Sequence, residues 1–116
     1  MIKTIITQFD MMETYIKLDK LFSKWKVAVL FALADSGLET MRNKDLKAAI
    51  PQASDKTLSK ALLSLEREDG LIGRKFTHGI PCRTDYWLTE NGHAFMPLLR
   101  QLKDWVEVNL QDGEEE

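Results

Sequence analysis

The residues best equipped for chemistry in this sequence are cations and hydroxyls gathered in two short stretches. The first is Ser54-Asp55-Lys56-Thr57-Leu58-Ser59-Lys60. Lys56 and Lys60 stand four residues apart, which on a helix puts both ammonium groups on one side. Thr57 and Ser59 each donate and accept hydrogen bonds, which suits contacts with base edges or phosphate. Ser54 occupies the position of an N-cap, leaving the helix N-terminus to face an anion. The second stretch carries Arg74, Lys75, His78 and Arg83 around a Gly-Ile-Pro-Cys turn. Arginine at such a tip suits the negative potential of a narrow minor groove. Lys44, just upstream, extends the same basic set. This is the chemistry of polyanion recognition, with phosphate contacts supplying most of the affinity. Plainer readings stand beside it: paired lysines are commonly only a solvated helix face, and Arg74 or Arg83 can simply pair with Asp85 or Glu90.

Catalytic and metal chemistry find little support. His78 and His93 are far apart, with no HExxH pattern and a single cysteine, Cys82, so no metal site is expected. Cys82 lacks a His/Asp frame for nucleophilic work, although an exposed thiol beside Arg83 is a candidate for oxidation. Gly70 and Gly73 fall at a helix end and in a strand, not in a phosphate-binding loop. Trp25, Trp87 and Trp105 read as core or subunit-contact anchors, not as stacking platforms for single strands. No cofactor and no enzymatic activity are expected.

The elements that must position the basic residues follow from periodicity. A first helix is expected over about 8–22, with Met12, Tyr15, Ile16 and Leu18 on an imperfect apolar face. A second, from Lys24 through Ala34, is apolar nearly all round and reads as central and buried. Asn43 is placed to cap a short helix, Lys44 to Ile50, with Leu46, Ala49 and Ile50 inward; Pro51 ends it. The next helix runs from Asp55 to about Asp69, with Leu58, Ala61, Leu62 and Leu65 as its buried stripe. Two short helices joined by a tight turn, the second basic at its start, form a helix-turn-helix pattern. Gly70 breaks that helix. Residues 71–77 and 83–88 then read as a β-hairpin. Thr89 caps a last helix reaching about Leu110, with Phe95, Leu98 or Leu99, Leu102 and Val106 as its stripe, and Pro97 is expected to disturb only its first turn.

Composition agrees with a globular chain: 116 residues, 44% hydrophobic and 29% charged, fit one domain. No apolar run approaches the roughly 18–20 residues of a membrane span. The first residues have no signal-peptide pattern, and a cytoplasmic location is expected. The net charge of −2 looks adverse to nucleic acid, but 16 basic residues face only 12 acidic ones over residues 1–103. The excess acid lies largely in the tail, 113–116, so charge is neutral on the question.

With these landmarks in order, the sequence resembles the HxlR-type family of winged helix-turn-helix regulators, relatives of the MarR-like repressors. Lys24-Trp25 with Val29-Leu30 resembles the family's KWxxxIL. Asp45-Leu46, Ile50-Pro51 and Ser54 resemble its (E/D)L…LP..S, with Lys56 and Leu58 at its SxKxL and Asp69-Gly70-Leu71-Ile72 at its DGL(V/I). Ile80-Pro81-Cys82-Arg83-Thr84-Asp85-Tyr86-Trp87-Leu88-Thr89 is similar to VPPRVEYxLT, with Gly92 following as in LTxxG. The likeness covers about residues 14–110. Met12-Glu13 stand where many members carry a sensing Cys-Pro, which excludes thiol sensing there. Cys82 replaces a second proline, one extra residue falls between Leu65 and Gly70, and the 37–41 loop is longer than usual.

The resemblance implies an α+β, mainly α fold: a winged helix-turn-helix with flanking N- and C-terminal dimerisation helices, at about 8–22 and 90–110. Residues 1–112 then form one domain and 113–116 an acidic tail. It implies a homodimer that binds double-stranded DNA and regulates transcription, with helix 55–69 in the major groove and wing 74–83 at the minor groove. Its expected DNA-binding residues are Lys44, Ser54, Lys56, Thr57, Ser59, Lys60, Arg74, Lys75, His78 and Arg83. Tyr15, Leu18, Phe95, Leu99, Leu102, Trp105 and Val106 are expected at the dimer interface. Relatives respond to small electrophiles or aromatic compounds, which leaves room for a small-molecule effector, although no polar constellation identifies one. The rival reading is a winged-helix protein–protein module, motivated by the net charge, the acidic tail and the outward Leu63.

Overall fold

The computed structural model describes the backbone of residues 2–110 and the side chains of residues 11–110; the acidic tail, 113–116, lies outside the described residues. The elements are α1 (Ile2–Leu21), α2 (Lys24–Asp35), β1 (Met41–Arg42), α3 (Asn43–Ala49), α4 (Asp55–Ser64), a π-helical turn (Leu65–Asp69), β2 (Ile72–Thr77), β3 (Arg83–Leu88) and α5 (Glu90–Asn109). The three strands form one antiparallel sheet in the order β1-β3-β2. This is the winged helix-turn-helix arrangement, mainly helical with a small sheet.

α2 lies at the centre. Its Val29, Leu30 and Leu33 are buried against Leu46 and Ile50 of α3, Leu58 and Leu62 of α4, Tyr86 and Leu88 of β3, and Met96 and Leu99 of α5. On α4 the spacing expected from sequence is realised, with Leu58, Ala61, Leu62 and Leu65 all buried. Burying such a leucine contributes about 2 kcal/mol, so the stripe fixes the helix by its inner face and leaves the other face free. On α3 Leu46 and Ile50 point inward, but Ala49 is exposed, contrary to expectation. The cap of α3 also differs. Arg42, not Asn43, holds the N-cap position, and its backbone N–H donates to the Asp45 carboxylate at 3.0 Å. A carboxylate three residues into a helix accepts that amide whatever the capping side chain is, as in a capping box.

Two features escape the periodicity argument. β1 spans only Met41 and Arg42, at the end of a stretch expected to be loop; it pairs Met41 with Tyr86 and Arg42 with Asp85. The extension of α4 is the second. α-Helical geometry ends at Ser64, and the chain continues as a π-turn to Asp69. A π-turn absorbs one additional residue without breaking the helix, and this one spans Leu65–Asp69. Gly70, at φ 67°, then closes the helix, and the Leu71 N–H reaches back to the Leu65 carbonyl.

The start of α5 is stapled to that turn. Thr89 donates its backbone N–H to the Leu71 carbonyl at 3.0 Å and its hydroxyl to the Gly70 carbonyl at 2.7 Å, and its Oγ1 accepts the Gly92 N–H at 3.1 Å. Gly92 is required there, because a Cβ would lie 2.1 Å from the Leu71 carbonyl oxygen. Pro97 is the eighth residue of α5, past the first turn, and the helix continues through it. Its missing N–H removes one bond to the exposed His93, where water can serve instead.

Residues 11–20 of α1 and the second half of α5 have little to pack against. Every residue from Met11 to Lys20, and from Gln101 to Leu110, is exposed. α1 is held at its end by the Phe22 ring, 6.3 Å from that of Phe95. No helix among the described residues is long and apolar enough to cross a membrane.

Candidate nucleic-acid interface

The helix-turn-helix is built by short polar ties. At its turn, Lys47 donates to the Ala53 carbonyl and lies 3.6 Å from Asp55, which links α3 to the first turn of α4. Ser54 caps α4: its Oγ accepts the Thr57 N–H at 3.1 Å and its hydroxyl donates to Thr57 Oγ1 at 2.8 Å. The Thr57 hydroxyl proton is left free to donate outward. At the far end of the helix Lys26, buried in α2, donates to Asp69 at 2.8 Å. Glu68, beside it, is held below the usual carboxylate range, first by the Ser64 hydroxyl at 2.6 Å and then by Lys20 and Lys26.

With its inner face anchored, α4 presents Lys56, Ser59, Lys60 and Leu63 to solvent, and Arg67 on the π-turn is exposed as well. Lys56, Lys60 and Leu63 recur at helical spacing; Lys56 and Lys60 border the cavity beside Trp25, whereas Leu63 and Arg67 border the groove on the wing side. None of these cations makes an ion pair or a side-chain hydrogen bond among the described residues; nor do Lys44, exposed at the start of α3, Arg74 or Lys75. Thr57 is half-buried and faces a different side from Ser59. It lines a cavity with Trp25, Ala61 and Ser64, whereas Ser59 lines a groove with Asn43, Arg67 and Arg74.

The wing separates its predicted cations. Opposite residues of β2 and β3 share a face, and Arg74 stands opposite Tyr86, while Lys75 stands opposite Asp85. Arg74 therefore faces the α4 side and lines the groove beneath the helix rather than the wing tip. Arg83 is engaged at home. Its guanidinium forks onto Asp85, at 2.9 and 3.1 Å, and Asp85 also accepts from Thr40. That bond holds the Asp85 carboxyl below its ordinary range and raises Arg83 above its own. Of the two pairings weighed from sequence, the one with Asp85 is the one formed. His78 is exposed near the tip, edge-on to Phe76 with ring centroids 4.7 Å apart. Ile80 and Cys82 are exposed there too.

Arg67 was missed from the sequence. Its signal in the sequence was its position seven residues after Lys60 and four after Leu63, at the end of the same expected helix. On the expected dimer surface Tyr15, Leu18, Leu102, Trp105 and Val106 are exposed, Phe95 is half-buried, and Leu99 belongs to the protomer's own core. Leu98, its exposed neighbour, takes the outward place.

Residues 20–114 match the HxlR-like helix-turn-helix family. This chain is a member of that family. It is 37% identical over 82 residues to the uncharacterized HTH-type transcriptional regulator BH0655 of Halalkalibacterium halodurans, covering 71% of this chain and 70% of that protein. Among solved structures, the redox regulator HypR in its reduced form superposes with a TM-score of 0.70 at 29% identity, over 84% of this chain and 92% of HypR. The reduced form of the transcriptional regulator YodB from B. subtilis gives 0.72 over 87% of this chain and 95% of YodB; at 24% identity that likeness speaks for the fold alone. The HxlR-like chain described here is thus a transcriptional regulator of the helix-turn-helix, MarR-like type, a DNA-binding class and not an enzyme family.

Proposed function

We propose that this HxlR-like protein acts as a homodimer that binds double-stranded DNA sequence-specifically, with α4 entering the major groove and the wing meeting the adjacent minor groove. The observation that carries the reading is the set of exposed, unpaired cations Lys56 and Lys60 on α4, with Arg67 on the π-turn, on a helix whose inner face is anchored. Unneutralised cations on a rigid helix suit phosphates and guanine edges. Leu63, one of the three features that motivated a protein-binding alternative, stands alone among these charges and suits contact with a thymine methyl.

The dimer is supported by the apolar surface of α1 and α5. Met12, Tyr15, Ile16, Leu18, Leu102 and Trp105 are all exposed in the protomer. Patches of this kind, rimmed by charge, mark association surfaces. Pairing them about a two-fold axis sets two α4 helices about 34 Å apart, one DNA turn.

Fluorescence anisotropy on a mixed-sequence duplex of about 30 base pairs, titrated over salt, tests the proposal, because each lost phosphate contact reduces the slope by about 0.9. Lys56→Ala with Lys60→Ala is expected to flatten the salt dependence and leave the fold intact. Trp105→Glu is expected to yield a monomer by sedimentation and to weaken binding. Wild-type protein that fails to bind at low salt refutes the DNA reading.

A further inference from the structure

A polar cavity of about 370 Å3 lies between the C-terminal half of the α4 helix and the wing. Asn43 of α3, Ser59 of α4, Glu66 and Arg67 of the π-turn, Arg74 of β2 and Thr84 of β3 line it. Neither Arg67 nor Arg74 makes a hydrogen bond or ion pair among the described residues. Elsewhere Arg83 and Arg100 both fork or reach onto carboxylates, Asp85 and Asp35. Two guanidiniums opening onto one small cavity whose lining holds a single carboxylate, Glu66, leave a net positive charge there that favours an anion. A guanidinium fork is also the side chain best matched to a phosphate.

The π-turn explains why Arg67 reaches this place. In π geometry each residue advances less around the axis than in an α-helix. A side chain two residues into the turn therefore lags back toward the edge that carries Ser59, the wing side. Arg67 of the π-turn accordingly lines the wing-side cavity together with Arg74.

We propose that this cavity is a phosphodiester clamp, in which Arg67 and Arg74 together grip the DNA strand that runs between the reading helix and the wing. The clamp rests on the DNA-binding reading above. With α4 in a major groove and the wing over the neighbouring minor groove, the strand separating the two grooves has to cross the gap between these elements. Asn43, Ser59 and Thr84 supply neutral donors to the same oxygens. Glu66 opposes the phosphate from the rim and moderates its hold. The contact is blind to sequence; it fixes the depth and register at which α4 sits.

The test uses the full chain and a mixed-sequence 30-base-pair duplex, comparing wild type, Arg67→Ala, Arg74→Ala, the double variant and Glu66→Gln across salt concentrations. Each single alanine variant is expected to weaken binding about five- to tenfold. The double variant is expected to lose less than the product of the singles, because both grip one phosphate, and about 0.9 in salt slope. Glu66→Gln is expected to tighten binding several-fold. Melting curves should not move for the arginine variants, since neither side chain is paired. Unchanged affinity and slope in Arg67→Ala, with Lys56→Ala/Lys60→Ala still flattening the slope, overturns the clamp and leaves DNA binding standing. Fully multiplicative losses show two independent contacts and overturn the shared clamp. Wild type without binding overturns both.

Discussion

Truncating Asp69 removes the only hydrogen-bond partner seen for the Lys26 ammonium among the described residues. The two side chains are 5% and 15% exposed, so the pair is desolvated rather than a surface bridge. Removing one member of such a pair strands the other charge in the core and costs about 3–5 kcal/mol. Glu68 already senses the Lys26 charge and offers a partial substitute, which places Asp69→Ala at about 3 kcal/mol, the lower end of that range. For a domain of this size the melting temperature falls by roughly 12–20 °C. Replacing both partners by apolar groups, Lys26→Met with Asp69→Leu, leaves no stranded charge and is expected to be neutral or stabilising. Urea unfolding followed by tryptophan fluorescence measures both variants, at one fixed protein concentration because self-association adds to apparent stability. The expected order is double variant at or above wild type, with Asp69→Ala far below. Asp69→Ala within about 1 kcal/mol of wild type, or a double variant as unstable as the single, refutes the burial argument.

Gly92→Ala places a methyl 2.1 Å from a backbone carbonyl that cannot step aside, and is expected to cost about 2–3 kcal/mol in the same unfolding assay. Ser54→Ala removes the α4 cap and is expected to cost about 1 kcal/mol, with Ser54→Asp restoring most of it. Asp85 is held below the usual carboxylate range, chiefly by the hydrogen bond from Arg83 and further by Arg42 and Thr40. Its contribution is therefore complete above the unfolded value of about 3.9 and is lost as pH falls through the lower folded value. The urea midpoint should fall more steeply below about pH 4 in wild type than in Asp85→Asn.

The helix-turn-helix was legible because its signals are local. The stripe Leu58, Ala61, Leu62, Leu65, the cap Ser54 and the stop at Pro51 all act within one turn of the chain, and each is found in place. So is Thr89 at the head of α5. What escaped depends on partners distant in sequence. β1 is two residues long and exists only because β3 lies beside it. Lys26 gave no sign of burial, since its partner Asp69 is 43 residues away. The grouping of Arg74 with Arg83 did not survive sheet register, which a strand alone does not announce: opposition to Tyr86 puts the exposed Arg74 on the α4 side, while Arg83, on the other face, pairs with Asp85. The choice of Leu99 over Leu98 for the core was likewise settled only by how α5 docks on α2.

Two ties meet at the end of the α4 helix, and a third contact links the elements they lead to. Lys26 joins the π-turn to α2, next in the chain after α1. Thr89 joins the turn at Gly70 and Leu71 to the first residues of α5. Phe22 and Phe95 then join the end of α1 to α5 itself. If α1 and α5 form the proposed subunit interface, a displacement there reaches α4 through these contacts rather than through a flexible linker. Such contacts transmit small shifts because a close-packed interior does not absorb them.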